Sequence, residues 1–308
     1  MKKLLLLSLG LAFLAACSTA ITPPQEFSSL TLTNGAPVVV DSQGSVIAGG
    51  DVVLGDSDNL KAVTEAHRLY FESGAQSTGE ISAQGHAAPS GTRLWSNSTI
   101  PYVVNASLNA KFLPLLQQTV QAYAQSSNIR LVPRTNQRYY VEIVGATNPS
   151  FCGLASSIGF VATSTGSRSD RRTYGISSGA SHYIVLNNSE AACSDTARTV
   201  VHEFGHVLGL RHEHSRSDRD SFIRIDTAAL NNDPLYVGAY SYKYPDVGRR
   251  NAYDYNSVMH YRAIFRKTGL QAIFPLAPSS YPVNDIGGET LSGLDSGIIN
   301  TLYTSSPR

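Results

Sequence analysis

The sequence predicts an α+β fold, and three observations predict it. The β-rich runs "TIPYVVN" (99–105), "RYYVEIVGA" (138–146) and "HYIVLNN" (182–188) all precede residue 190. One long helix-compatible run, "CSDTARTVVHEFGHVLGL" (193–210), follows them. Beyond it, residues 231–256 are rich in Tyr, Asn, Asp and Pro and read as irregular. The helix thus lies between a strand-bearing half and a loop-bearing half.

Length and charge set the outer limits. The 308 residues suit one large domain plus an accessory segment, and a formal net charge of +1 gives no basic excess. No nucleic-acid partner is expected, because phosphate binding calls for such an excess.

At the N-terminus, "MKKLLLLSLGLAFLAACSTA" has two lysines, an apolar run and then small residues. Residues 1–16 read as an export signal, and the run is too short for a good membrane span. Its end, "LAAC" (14–17), resembles a bacterial lipobox, which implies cleavage before Cys17 and a lipid on that residue. An ordinary signal followed by a chance cysteine is the alternative. The remaining cysteines, Cys152 and Cys193, suggest one disulfide if the chain is exported, worth on the order of 3–4 kcal/mol in the chain-entropy model. Two free buried thiols are the other option.

Residues 17–85 form an accessory segment and linker. They carry one alternating apolar stretch, "SVIAGGDVVLGD" (45–56), and a short helical pattern, "LKAVTEAHRLYFES" (60–73). The small, Gly-rich run at 74–92 is linker-like, and the compact domain is taken as 86–308. Within it, residues 108–127 place Leu108, Phe112, Leu115, Leu116, Thr119 and Tyr123 at helical spacing despite Pro114. In the 193–210 run, Ser194 or Asp195 can cap the start and Gly209 can end the helix in the left-handed conformation.

Chemistry concentrates in "HEFGHVLGLRHEH" (202–214), which holds four of the chain's eight histidines. On a helix, His202 and His206 project from one face a turn apart, a spacing that suits one zinc ion. Glu203 is rotated by about 100° from the first ligand, so it points beside the metal, where it can accept a proton from water. Gly209 lets the chain reverse so that His212 returns to the same ion. Three imidazoles leave a position open, as a catalytic zinc requires, whereas a structural site would use four protein ligands. A His-Glu-x-x-His alone is weak, but Gly209 and His212 at their places make chance a poor explanation. His214 has no part in that geometry and reads as a loop residue or a support to the ligands.

His202-Glu203-x-x-His206-x-x-Gly209-x-x-His212 resembles the metzincin zinc motif, and Glu213 after the third histidine resembles the astacin family. "YDYNSVMHY" (253–261) is similar to that family's methionine turn, with Met259 as the apolar floor under the imidazoles. "SRSDRDSFIRI" (215–225), "LWSNSTIPYVV" (94–104), "IRLVPRTNQRYYVEI" (129–143) and "IGGETLSGLDSGIINTLY" (286–303) extend the resemblance over about 93–308. It implies a zincin-like catalytic domain of two subdomains, with the active-site helix between a twisted mixed sheet and an irregular C-terminal half. It also implies a zinc endopeptidase with one catalytic Zn²⁺ on His202, His206 and His212, Glu203 as general base and Tyr261 as oxyanion donor and possible fifth ligand. Protein or peptide substrates, a monomer, and a membrane link only through the lipid anchor complete the expectation.

By the same resemblance, residues 17–85 are a pro-segment and Glu213 helps anchor the new N-terminus of a processed enzyme. Gly50-Asp51 resembles a latency pair whose carboxylate occupies the metal, although the usual preceding aromatic is missing; Gly55-Asp56 competes for the role. Cys152 and Cys193 match one of the family's two disulfides, and the second is absent. "TSTGSRSDRRTYGISSGAS" (163–181) is an insertion beside the substrate-binding edge strand, which is placed at "SIGFVAT" (157–163). The chain is expected outside the cytoplasm, either held to the envelope by lipid or released after pro-segment cleavage. Two rivals remain: a non-catalytic surface lipoprotein that binds ligands on the same fold, and a zinc hydrolase of another class such as a muramyl-peptide amidase. Retention of Glu203 and every ligand weighs against the first, and the methionine turn with Tyr261 against the second.

Overall fold

A computed structural model describes residues 27–33, 35–68, 94–147, 151–162, 166–193, 196–244, 252–276 and 281–304. Cys17, the export signal, residues 74–92 and the candidate caps Ser194 and Asp195 lie outside the described residues. No helix among the described residues is long and apolar enough to cross a membrane.

The accessory segment folds as a meander of β1 (Phe27–Thr31), β2 (Pro37–Asp41), β3 (Ser45–Ala48) and β4 (Val52–Asp56), followed by helix α1 (Leu60–His67). The four strands are antiparallel neighbours. Val46, Ile47, Val52 and Val53 are fully buried, so this segment has a core of its own that continues into the rest of the molecule.

The strands after residue 94 are β5 (Thr99–Val104), β6 (Arg130–Pro133), β7 (Val141–Ala146), β8 (Gly153–Ala155) and β9 (His182–Asn187). Together with the meander they make one mixed nine-stranded sheet in the order β1-β2-β3-β4-β8-β9-β7-β5-β6. β5, β6, β7 and β9 pair in parallel, β8 runs antiparallel to β9, and β4 joins β8 in parallel through Val52 opposite Ala155. Strand β9 is buried at every position, as expected of a strand covered on both faces.

Helix α2 (Phe112–Ser126) covers the sheet with Phe112, Leu115, Leu116, Thr119 and Tyr123 inward, and Pro114 sits in its first turn, where a missing N–H costs nothing. The zinc-motif run becomes α4 (Arg198–Leu208), buried throughout from Val200 onward. A helix buried on all sides must have its terminal carbonyls satisfied. Trp95 Nε1 donates to Val207 O, the Tyr303 hydroxyl to Leu208 O, and Gly209, at φ 107°, turns its N–H back to the last turn.

Three local readings change. The 163–181 insertion contains a helix, α3 (Arg168–Thr173). Residues 231–256, read as irregular, include α5 (Pro234–Ser241), started by Asp233 accepting from Leu235 N and by Pro234 at the first turn. The strand expected at 157–163 lies instead at β8, 153–155, an interior strand between β4 and β9, because Gly159 at φ 75° turns the chain and its N–H goes to His206 O. The C-terminal half is completed by the small sheet of β10 (Ile223–Ile225) and β11 (Ile273–Pro275) and by α6 (Gly293–Thr304).

Candidate metal centre and active site

Helix α4 brings His202 and His206 to one face, and the reversal at Gly209 returns His212 to it. His212 Nε2 lies 3.1 Å from both His202 Nε2 and His206 Nε2. Asp51 joins them: its Oδ2 is 3.0 Å from His212 Nε2 and 3.3 Å from His202 Nε2, and its Oδ1 is 3.4 Å from His206 Nε2. All four side chains are buried.

The donor set fits a tetrahedral divalent ion. His202 Nδ1 lies 2.8 Å from Val258 O and His206 Nδ1 lies 2.9 Å from Leu210 O. A carbonyl only accepts, so these Nδ1 atoms carry the proton and the facing Nε2 atoms present lone pairs. Burial, countered by the Asp51 carboxylate, pushes the His202 imidazole down to about 3, which keeps it in its neutral ligating form. Lone pairs converging with a carboxylate need a cation between them. Ligands about 2.0–2.1 Å from a tetrahedral zinc lie about 3.3–3.4 Å from one another, close to the separations here. Asp51 Oδ1 has no hydrogen-bond partner among the described residues.

Asp51 reaches the histidines because the β3–β4 hairpin turns sharply. Gly49 and Gly50 have φ of +61° and +94°, which side-chain-bearing residues rarely adopt. A Cβ on Gly50 would stand 2.5 Å from Ala239 Cβ and 2.8 Å from the Tyr261 hydroxyl oxygen. Asp56, the other candidate, is elsewhere: it accepts from Ser167 Oγ, Arg168 N and Ser169 N at the start of α3.

Glu203 points beside the imidazoles and is buried, with no hydrogen-bond partner for Oε2 among the described residues. Its carboxyl is held well above its ordinary value by burial and then by the Asp51 charge, with Arg198 pulling the other way. Gly153 of β8 makes room for it, since a methyl there would run into the Glu203 carboxylate. Cys152, one residue earlier, is disulfide-bonded to Cys193, with 4.9 Å between Cα atoms, so edge strand and helix approach are tied together.

The methionine turn packs against α4. Met259 is buried, and its sulfur occupies the space that a Cβ on Gly205 would need. Asp295 of α6 holds this turn, accepting from Ser257 Oγ at 2.6 Å and Val258 N at 2.9 Å. Arg198 grips it from the other side through the carbonyls of Val258, His260 and Gly287. Sequence reasoning passed over both residues. The only signal for Asp295 was its place three residues after Ser292, whose hydroxyl caps it.

Tyr261 donates to Gly49 O at 2.8 Å and to Asp51 Oδ2 at 3.2 Å. His214 is more than a loop residue: its ring stacks on Tyr261 with centroids 4.0 Å apart, and its Nδ1 accepts from Tyr261 N. Glu213 is bound by Arg216 Nη1 at 2.6 Å and Asp254 N at 3.0 Å, with its carboxyl pushed up to about 7 chiefly by burial. A cleft runs along the site, with Phe151, Thr199, Tyr236 and Phe265 on its walls and Gly50 and Asp51 at its inner end.

The family described as Astacin (Peptidase family M12A) matches residues 175–304. Zinc metalloproteinase nas-5 of Caenorhabditis elegans is 30% identical over 239 residues, covering 72% of this chain and 58% of that protein. High choriolytic enzyme 1 of Oryzias latipes is 28% identical over 207 residues, covering 66% of this chain and 65% of its own length. The chain therefore spans less than two thirds of these relatives. The solved structure of that hatching enzyme, a zinc-protease, shares the fold with a TM-score of 0.50 at 24% identity, covering 75% of this chain and 100% of its own.

Proposed function

We propose, from the premise that this chain belongs to the astacin family of metzincin zinc peptidases, that it is a zinc endopeptidase in its latent form. The observation that carries the reading is the convergence of His202, His206 and His212 with Glu203 beside them and Asp51 among them. When bound, zinc supplies a Lewis acid that acidifies water and polarises a carbonyl. Glu203, in its dry site, takes the proton of the attacking water and passes it to the leaving amine. The Tyr261 hydroxyl donates to the developing oxyanion once it leaves Gly49 O. His214, stacked on the Tyr261 ring, fixes the plane in which that phenol moves.

Asp51 makes the form latent by taking the position the water needs, and β4 occupies the edge of β8, where an extended peptide would add as a strand. Residues 17–85 act as the pro-segment, the domain 86–308 carries catalysis, and cleavage between them starts activation. Export by residues 1–16 and lipidation at Cys17 place the enzyme outside the cytoplasm, with proteins or peptides as substrates. The Cys152–Cys193 disulfide agrees with an oxidising compartment. Metal analysis of the purified chain and chelator-sensitive cleavage of a peptide library after processing test the reading. One zinc per chain with such cleavage is expected; a zinc-loaded, processed chain that cuts no peptide would overturn it.

A further inference from the structure

The β3–β4 hairpin touches the catalytic domain at two places. Its tip, Gly49 to Asp51, enters the metal site. At its other end Ser45 pairs with Asp56 across the two strands, and both contact the start of α3. Four residue steps separate Ser45 from Gly49, roughly 13 Å at strand rise.

The second contact is dense. Asp56 Oδ1 accepts from Ser167 Oγ at 2.8 Å and Ser169 N at 3.1 Å, and Oδ2 accepts from Arg168 N at 3.0 Å. These backbone N–H groups belong to the first turn of α3 and have no partner within the helix. Ser45 Oγ donates to Asp170 Oδ1 at 2.8 Å, and Ser169 Oγ donates to Gln43 O at 2.8 Å. Ser45, Ser167 and Asp170 are essentially inaccessible to solvent, and Tyr183 donates to Asp170 Oδ2 from β9 beneath. Although burial raises the Asp56 carboxyl, the bonds from Arg168 N, Ser167 and Ser169 N bring it below its ordinary value. None of these residues lines the cleft.

We infer that the start of α3, within the insertion, is a second docking site for the pro-segment, in which Ser167, Ser169 and Asp170 bind Ser45 and Asp56 independently of the metal. The partner is a named piece of this chain, residues 27–68, and the surface stays able to rebind it after the linker is cut. The inference rests on residues 17–85 being a pro-segment, and it explains what the insertion contributes beside a substrate edge.

The test uses the full zinc-loaded chain with a protease site introduced within 74–92. After the cut, release of the N-terminal piece is followed by gel filtration over time, with no substrate present. Asp56→Ala and Ser167→Ala, one on each side of the contact, should each speed release by roughly 10- to 100-fold, the scale of one lost charge-assisted hydrogen bond. The double variant should release more slowly than the product of the two single effects predicts, because both remove the Asp56–Ser167 bond. Wild-type release rates in both singles, or effects that multiply in the double, would overturn the site. Faster release in the singles, with no cleavage of a peptide added after release is complete, would strike the peptidase reading instead and leave the docking site standing.

Discussion

The Tyr261 hydroxyl donates to the carbonyl of Gly49 at 2.8 Å, so the tyrosine proposed to stabilise the oxyanion is spent on the β3–β4 hairpin. Loss of this hydroxyl should weaken the hold on the hairpin by about the worth of one hydrogen bond, and should cripple catalysis once residues 27–68 are removed. Tyr261→Phe is expected to lower kcat by about 10²-fold or more with little change in KM, the range seen for one oxyanion donor. Steady-state kinetics on a fluorogenic peptide checks this, and a change confined to KM would contradict the assignment.

The hairpin tip should be the weak point of latency. Gly50→Ala puts a methyl against Ala239 and Tyr261 at a backbone φ of +94°. The tip must shift, so uncut Gly50→Ala should cleave peptide at least about tenfold faster than uncut wild type, a shift worth about 1.4 kcal/mol. Asp51→Ala should do the same without backbone strain. Equal background rates in all three uncut chains would refute the plug.

Glu203 is assigned proton transfer and no metal bond. Glu203→Gln should therefore keep one zinc per chain by metal analysis and lose roughly 10²- to 10⁴-fold in kcat, the usual worth of a positioned acid–base group. A variant that cleaves casein as well as wild type would remove Glu203 from the mechanism.

Asp170 gives the latent chain a pH dependence. Burial raises its carboxyl to about 7, against the bonds from Ser45 and Tyr183 and with help from Asp41 and Asp56; Arg171 is nearby. A carboxyl raised in the folded state adds stability below its unfolded value near 3.8, and that stability is lost as pH climbs to about 7. The contribution is on the order of 2–4 kcal/mol at its largest. Asp170→Asn should flatten the fall in thermal stability between pH 4 and 7, as measured by calorimetry on uncut chain. An unchanged slope would place the titration elsewhere.

Much of the site was legible in the sequence because it is built from local spacing. His202, Glu203 and His206 share one helix, and the reversal at Gly209 is a single-residue matter. Met259 and Tyr261 were legible through a motif, and the pairing of Cys152 with Cys193 followed from their being the last two cysteines. What was not legible is long-range. Asp295 and Arg198 hold the methionine turn from helices about 40 and 60 residues away in sequence, and nothing local marks them. Asp51 and Asp56 each follow a glycine in near-repeated settings, and only the sheet register decides which enters the metal site. Helix α5 escaped notice because the Tyr, Asn, Asp and Pro of 231–256 read as irregular, whereas Asp233 and Pro234 start a helix there. The edge strand was misplaced because "SIGF" is apolar enough for a strand but carries a glycine at positive φ.

The parallel pairing of β4 with β8 also bears on how the protein is handled before it works. With residues 27–68 in place, the Ala155 N–H is bonded to Asp51 O and β8 is an interior strand. Were they removed, the buried residues of β8 would become an open border with unpaired amides, the kind of border along which copies of a protein stick to one another. Solubility and appetite for extended peptides would then be two faces of one property of β8, set by whether residues 27–68 are present.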